Sequence, residues 1–137
     1  MSDQDKISEA LQRLGIASLN DMQRSVLEAG TKKDMVLLSP TGSGKTLAFL
    51  LPLLPILTPE EKTQVMVIAP SRELALQIES VFRSLGTGLK VTCCYGGHPF
   101  QVEKRSLEHP PVLLVGTPGR ILDHIEKGNL SLQSVHT

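Results

Sequence analysis

The chain is expected to fold as an α/β domain, with a parallel sheet covered by helices on both faces. Three features predict this. Residues 35–39, 65–69, 91–95 and 112–116 form short apolar runs, and their apolarity is continuous rather than alternating, as in strands buried on two sides. Segments with helical periodicity separate the runs, and strand, helix, strand in alternation implies parallel pairing through right-handed crossovers. The first run also leads through a glycine-rich loop straight into an apolar helix start.

The elements follow in order. Ile7, Leu11 and Leu14 lie on one face of a short helix, with Gly15 as its stop. Asn20 is a good N-cap for a second helix, with Gln23 three residues on; Met22, Val26 and Leu27 form its apolar stripe, and Gly30 ends it. After the second strand, residues 71–85 place Leu74, Ile78, Val81, Phe82 and Leu85 on one side, closed by Gly86. A helix is predicted over about 99–107, because Pro110 and Pro111 cannot continue it. The last helix begins at Thr117 with Pro118 preset for the first turn, buries Ile121, Leu122 and Ile125, and ends at Gly128. Residues 58–64 are the only loop of any length, and no internal repeat is present.

At 137 residues the chain is one domain or part of one, long enough for a real core. Fourteen basic residues balance fourteen acidic ones, so any nucleic-acid binding must come from local sites rather than a general positive field. The longest apolar stretch, residues 47–57, is too short to span a membrane and is broken by Pro52 and Pro55. The start, MSDQDK, is not a secretory signal, and a cytoplasmic protein without membrane partners is expected. Cys93 and Cys94 are adjacent, which suits neither a redox pair nor a zinc knuckle, and they read as free structural thiols on opposite faces of a strand. His98, His109, His124 and His136 have no metal-ligand spacing and no recurring carboxylate neighbour, and read as surface or cap residues. Asp123 and Glu126 read as a solvated helix face.

The glycine-rich loop is SPTGSGKT, residues 39–46. Gly42 and Gly44 let the backbone of Ser39, Pro40, Thr41 and Ser43 turn with its amides inward around a polyphosphate. Lys45 is expected at the β and γ phosphates, and Thr46 supplies a hydroxyl to Mg²⁺. Ser39 stands where the usual pattern has glycine.

Three further strings fall at the ends of the predicted strands, where open α/β sheets hold their ligands: PSRELALQ at 70–77, Gly96 with Gly97, and TPGR at 117–120. In that order, and behind the phosphate loop, they resemble the first RecA-like domain of the DEAD-box ATP-dependent RNA helicases. The resemblance runs from about Gly15 to the last residue, dividing the chain into a helical segment over 1–30 and the N-terminal part of a RecA-like ATP-binding domain over 31–137.

The resemblance implies ATP and Mg²⁺ as cofactors, with Lys45 and Thr46 in the catalytic machinery and residues 39–46 around the phosphates. GIASLNDMQ, residues 15–23, looks like the family's Q motif, in which Gln23 would read the adenine edge. An amide offers the adjacent donor and acceptor which that edge requires, but Gln23 also stands where a capping box puts a glutamine. The stretch departs from the family pattern at Ile16, Leu19, Asn20 and Asp21, and no aromatic precedes Phe49. Pro70, Arg72, Gly96, Gly97, Thr117, Gly119 and Arg120 are implied as RNA contacts. Such contacts hold sugar and phosphate without reading base identity.

The family's acidic Asp-Glu-Ala-Asp string does not occur; Asp34, Glu60 with Glu61, and Asp123 with Glu126 do not follow apolar strands. The chain is therefore expected to stop short of that motif and of a second RecA-like domain, and by itself to be aggregation-prone, swapped or dimeric without turnover. The complete protein would be an ATP-dependent RNA helicase. A non-catalytic nucleotide- and RNA-binding module, a DNA helicase and another P-loop enzyme are the alternatives.

Overall fold

A computed structural model of the chain describes residues 3–14, residue 23 and residues 45–137, and it divides into two compact units. The expected second helix, apart from Gln23, the first strand and the loop through Gly44 lie outside the described residues.

The first unit comprises residues 1–57 and 84–87. Helix α1 (Asp3–Leu14) packs on a 3-10 segment, Leu51–Ile56, which continues from the short helix α2 (Lys45–Leu50). Pro52 and Pro55 explain the change from α to 3-10 winding, since neither can donate a backbone hydrogen bond. Ala48, Leu50, Leu51, Leu53 and Leu54 are buried, so the apolar stretch is core rather than membrane anchor. No helix among the described residues is long and apolar enough to cross a membrane.

The second unit holds a three-stranded parallel sheet in the order β1-β3-β2, where β1 is Val65–Ile68, β2 Val91–Cys94 and β3 Leu113–Gly116. Val65, Leu113 and Val91 lie in one row, and Ile68, Gly116 and Cys94 in another, so the three strands end together. Between them run α3 (Arg72–Ser84), α4 (Phe100–Leu107) and, after β3, α5 (Pro118–Glu126). On one face Cys94 and Leu114 pack with Leu107, Ile121 and Leu130. Cys93 points the other way, towards α3, where Glu79 and Arg83 lie close enough to act on its thiol. Helices on both faces are thus observed, and β2 and β3 are buried throughout, each full aliphatic side chain contributing about 1.5–3 kcal/mol. Strand β1 is covered less than its continuous apolarity predicts, because Ile68 is 56% exposed. It is one of the two outer strands, and among the described residues its far edge bonds to the chain end: the Met66 amide donates to Thr137 O (2.9 Å) and the His136 amide to Gln64 O (3.0 Å).

Helix stripes differ from expectation in two places. In α5 Leu122 is 52% exposed while His124 is fully buried; in α3 Ala75 is buried and Leu74 and Val81 only partly so. The 58–64 loop is closed by Gln64, 1% exposed, whose Oε1 accepts from the Thr58 amide (2.9 Å) and whose Nε2 donates to Thr58 O and Oγ1 (both 3.0 Å). Gln64→Ala is expected to cost about 1–2 kcal/mol, since it removes the buried amide that ties the loop to the exposed Thr58. Urea unfolding checks this, and an unchanged midpoint would show that water replaces the amide. Lys90 serves the same end at α4, donating to Ser106 O (2.5 Å) and His109 O (2.7 Å) past the helix C-terminus.

Candidate phosphate-strand interface at one sheet edge

All three strings outside the phosphate loop begin where a strand ends. The Ala69 amide donates to Gly116 O (2.9 Å) and the Thr117 amide to Cys94 O (3.0 Å), so residues 69–72, 95–98 and 117–120 leave the sheet side by side. The shared register brings Pro70, Arg72, Gly96, Gly97, Thr117, Gly119 and Arg120 to one edge of one sheet.

Ser71 caps α3 by accepting from the Leu74 amide (3.3 Å), which points the first turn of the helix at the edge. Arg72 is exposed, with Glu73 3.7 Å from its Nε, and a Cβ on Gly97 would lie 3.4 Å from its Nη1. Gly97 has φ +93, a conformation side-chain-bearing residues rarely adopt, and this lets the chain turn sharply after β2. At α5, Thr117 is the N-cap residue but its side chain makes no capping bond, and Pro118 occupies the first turn. Around Gly96 and Gly119 a Cβ would meet nothing within 4 Å, so both glycines face open space.

Arg120 is held differently from its neighbours. Only 15% of its side chain is exposed; its Nε donates to Glu103 Oε1 (2.9 Å) and its Nη2 to His98 O. Its cation also lies 5.1 Å from the Phe100 ring centroid.

Glu103 is the residue that the pattern of the sequence left unassigned. Its carboxylate is fully buried on α4 and accepts from four groups: Tyr95 N (3.0 Å), His98 Nδ1 (2.8 Å), Arg120 Nε (2.9 Å) and His124 Nε2 (2.8 Å). Burial pushes its pKa up, but hydrogen bonds from His124, the Tyr95 amide and His98, with the charge of Arg120, outweigh this and hold it below the usual carboxylate range. His124 is fully buried and stacks on Phe100 with centroids 4.3 Å apart, and Asn129 Nδ2 lies 3.2 Å from its Nδ1. The surface-or-cap reading of the histidines is therefore corrected for His124, and His98 and His109 do have carboxylate partners, Glu103 and Glu61. Spacing gave no hint because the partners lie five, twenty-one and forty-eight residues apart. A signal did exist: Phe100, Glu103 and Leu107 share one helical stripe, and so do Ile121 and His124.

Cys94, Glu103 and His124 could offer ligand atoms within 4.8 Å of one another. The Arg120 guanidinium on the same carboxylate opposes a cation; burial, ahead of the Glu103 charge, pushes the Cys94 thiol far up, and burial, ahead of the Glu79 charge, pushes the Cys93 thiol to about 12. Both cysteines are buried and free, as the sequence suggests.

Of the nucleotide residues, Lys45 and Thr46 open α2 directly after the loop, as a phosphate loop requires, and Gln23 is helical and buried. Ser39, Pro40, Thr41, Gly42, Ser43 and Gly44 lie outside the described residues.

Comparison with known proteins extends this picture. The DEAD/DEAH box helicase family model matches residues 20–137. The chain is 40% identical over 134 residues to the ATP-dependent RNA helicase DeaD of Escherichia coli K12, covering 94% of this chain and 21% of that protein. It is 41% identical over 130 residues to the ATP-dependent RNA helicase DbpA of Bacillus subtilis 168, covering 92% and 27%. A solved structure of a hypothetical ATP-dependent RNA helicase from Sulfolobus tokodaii superposes with a TM-score of 0.79 at 31% identity, over 96% of this chain and 40% of that one. The chain thus spans 21–27% of the length of these two curated relatives.

Proposed function

The chain belongs to the DEAD/DEAH box helicase family, and from that premise we propose that it supplies the ATP-binding and RNA-contacting part of an ATP-dependent RNA helicase, which remodels RNA using ATP hydrolysis. The observation that carries the reading is the convergence of three strings on one sheet edge: a capped helix start at Ser71, an open glycine turn at 96–97, and the start of α5 at Thr117. Helix N-termini and bare backbone amides favour phosphates and do not read base edges. Arg72 adds an exposed cation beside the turn. A strand of nucleic acid lying along this edge would be held by its backbone, without sequence preference.

ATP would be held by the loop 39–46, with Gln23 at the base, Lys45 at the β and γ phosphates and Thr46 at Mg²⁺. The fit rests on the donor set and on the start of α2 at Lys45, which directs amides towards the loop. Mg²⁺, when bound, neutralises charge on the phosphates; Lys45 adds a fixed positive charge and orients them. The acidic residues and arginines that complete phosphoryl transfer in the family would come from the rest of the protein.

The test is phosphate release by the complete protein with and without single-stranded RNA, with matched DNA as a second arm. Expected is stimulation of about tenfold or more by RNA and little by DNA, because RNA readers use the 2′-hydroxyl. Equal stimulation by both strands would make it a nucleic-acid-stimulated ATPase without RNA preference, and no stimulation by either would overturn the reading.

A further inference from the structure

We propose that Glu103 is a positioning residue for RNA binding, a clamp whose two carboxylate oxygens fix the glycine turn after β2 against the first turn of α5. The inference rests on the RNA-contacting reading of this sheet edge.

The division of labour between the two oxygens carries it. Oε2 accepts from Tyr95 N (3.0 Å) and His98 Nδ1 (2.8 Å), the two residues that flank Gly96 and Gly97. Oε1 accepts from Arg120 Nε (2.9 Å) and His124 Nε2 (2.8 Å), both on α5. Arg120 closes the loop by also donating to His98 O. The Asn129 side-chain nitrogen, 3.2 Å from His124 Nδ1, donates there and so leaves the ring proton on Nε2, where it faces Glu103. Every polar group in the cluster has a partner, and none of the buried side-chain nitrogens or oxygens among the described residues is unsatisfied.

A carboxylate is the only side chain that can do this. Four donors converge on it, and two acceptor oxygens take two each. Without it, the Arg120 bond to His98 O is left, among the described residues, to tie the positive-φ turn at Gly97 to the helix start at Thr117, and those two segments present the open glycines and the uncapped hydroxyl along which the strand would lie. Glu103 itself is buried and does not touch the RNA. It acts through the loop and the helix, which fixes the spacing of the backbone amides that phosphates would meet. An array preorganised in this way binds without the entropy cost of assembling it.

Glu103→Gln is the informative variant. It keeps the shape and one acceptor oxygen, but its amide group faces two donors, so either the turn or the helix loses its anchor. With the complete protein and a fluorescein-labelled single-stranded oligouridylate, the RNA dissociation constant and the RNA concentration for half-maximal ATPase stimulation are expected to rise about tenfold. The KM for ATP and the turnover at saturating RNA stay within about twofold. His98→Ala, at a partly exposed position, is expected to raise the same RNA parameters about threefold and stands in should Glu103→Gln fail to fold. A folded variant that binds RNA as wild type does would overturn the proposal, and so would equal losses in ATP and RNA parameters, which mark a merely structural role. Wild-type protein that neither binds nor responds to RNA would overturn the functional reading, and this inference with it.

Discussion

Lys45→Ala in the complete protein is expected to lower RNA-stimulated phosphate release by about a hundredfold or more. Lys45 is the charged member of SPTGSGKT and stands at the start of α2. The loop amides can surround a polyphosphate without it, but they contribute only partial charges. Charge builds on the γ-phosphoryl oxygens during transfer, and a fixed ammonium in a site that excludes water counters that charge far more than bulk solvent would. Lys45→Arg is expected to be nearly as damaging, since a broad planar fork cannot take the place of a compact point charge. RNA binding without nucleotide should stay within about twofold of wild type, because the strand contacts proposed here sit on other segments. Steady-state phosphate release and anisotropy on the same preparations check both halves. Turnover within a few-fold of wild type would remove the loop from the reaction.

The fold of the second unit is legible in the sequence because its strands and helices carry local signals that agree. Each strand appears within a residue of the apolar run that predicts it, and α3, α4 and α5 start and stop at Ser71, Pro99, Thr117 and their closing glycines or prolines. What the sequence does not show is which polar residues the packing will bury. Glu103 and His124 read as surface residues by type, and only the fold reveals that one carboxylate sits among four donors. Gln64 is similar: a glutamine at the end of a polar loop gives no sign that it closes that loop. The strings at the sheet edge were legible as strings, because helix caps and positive-φ glycines follow local rules. Their alignment depends on the parallel register, and the commitment of Arg120 to Glu103 and His98 depends on α4, seventeen residues away.

Two glycines three positions apart separate what the fold needs from what a ligand would need. A Cβ on Gly116 would lie 2.6 Å from Cys94 O and 2.8 Å from Ile121 Cγ1. The first of these atoms is backbone and already accepts from the Thr117 amide (3.0 Å), so it cannot retreat without opening the β2–β3 edge where the candidate interface begins. Gly116→Ala is therefore expected to destabilise the protein by roughly 3 kcal/mol and to lower its melting midpoint by on the order of 10 °C. Gly119 lies one turn into open space, with an ordinary backbone conformation and nothing within 4 Å of its would-be Cβ. Ala there should leave stability unchanged or raise it by about 0.5 kcal/mol, since glycine is the poorer helix former. If RNA phosphates approach the start of α5, the added methyl group obstructs them, and RNA affinity should fall about tenfold despite the intact fold. Melting curves and RNA titrations of the two variants form a crossed pair. A tolerated Gly116→Ala would mean that the sheet edge is softer than its hydrogen bonds imply, and a Gly119→Ala variant with full RNA affinity would leave that glycine without a role at this edge.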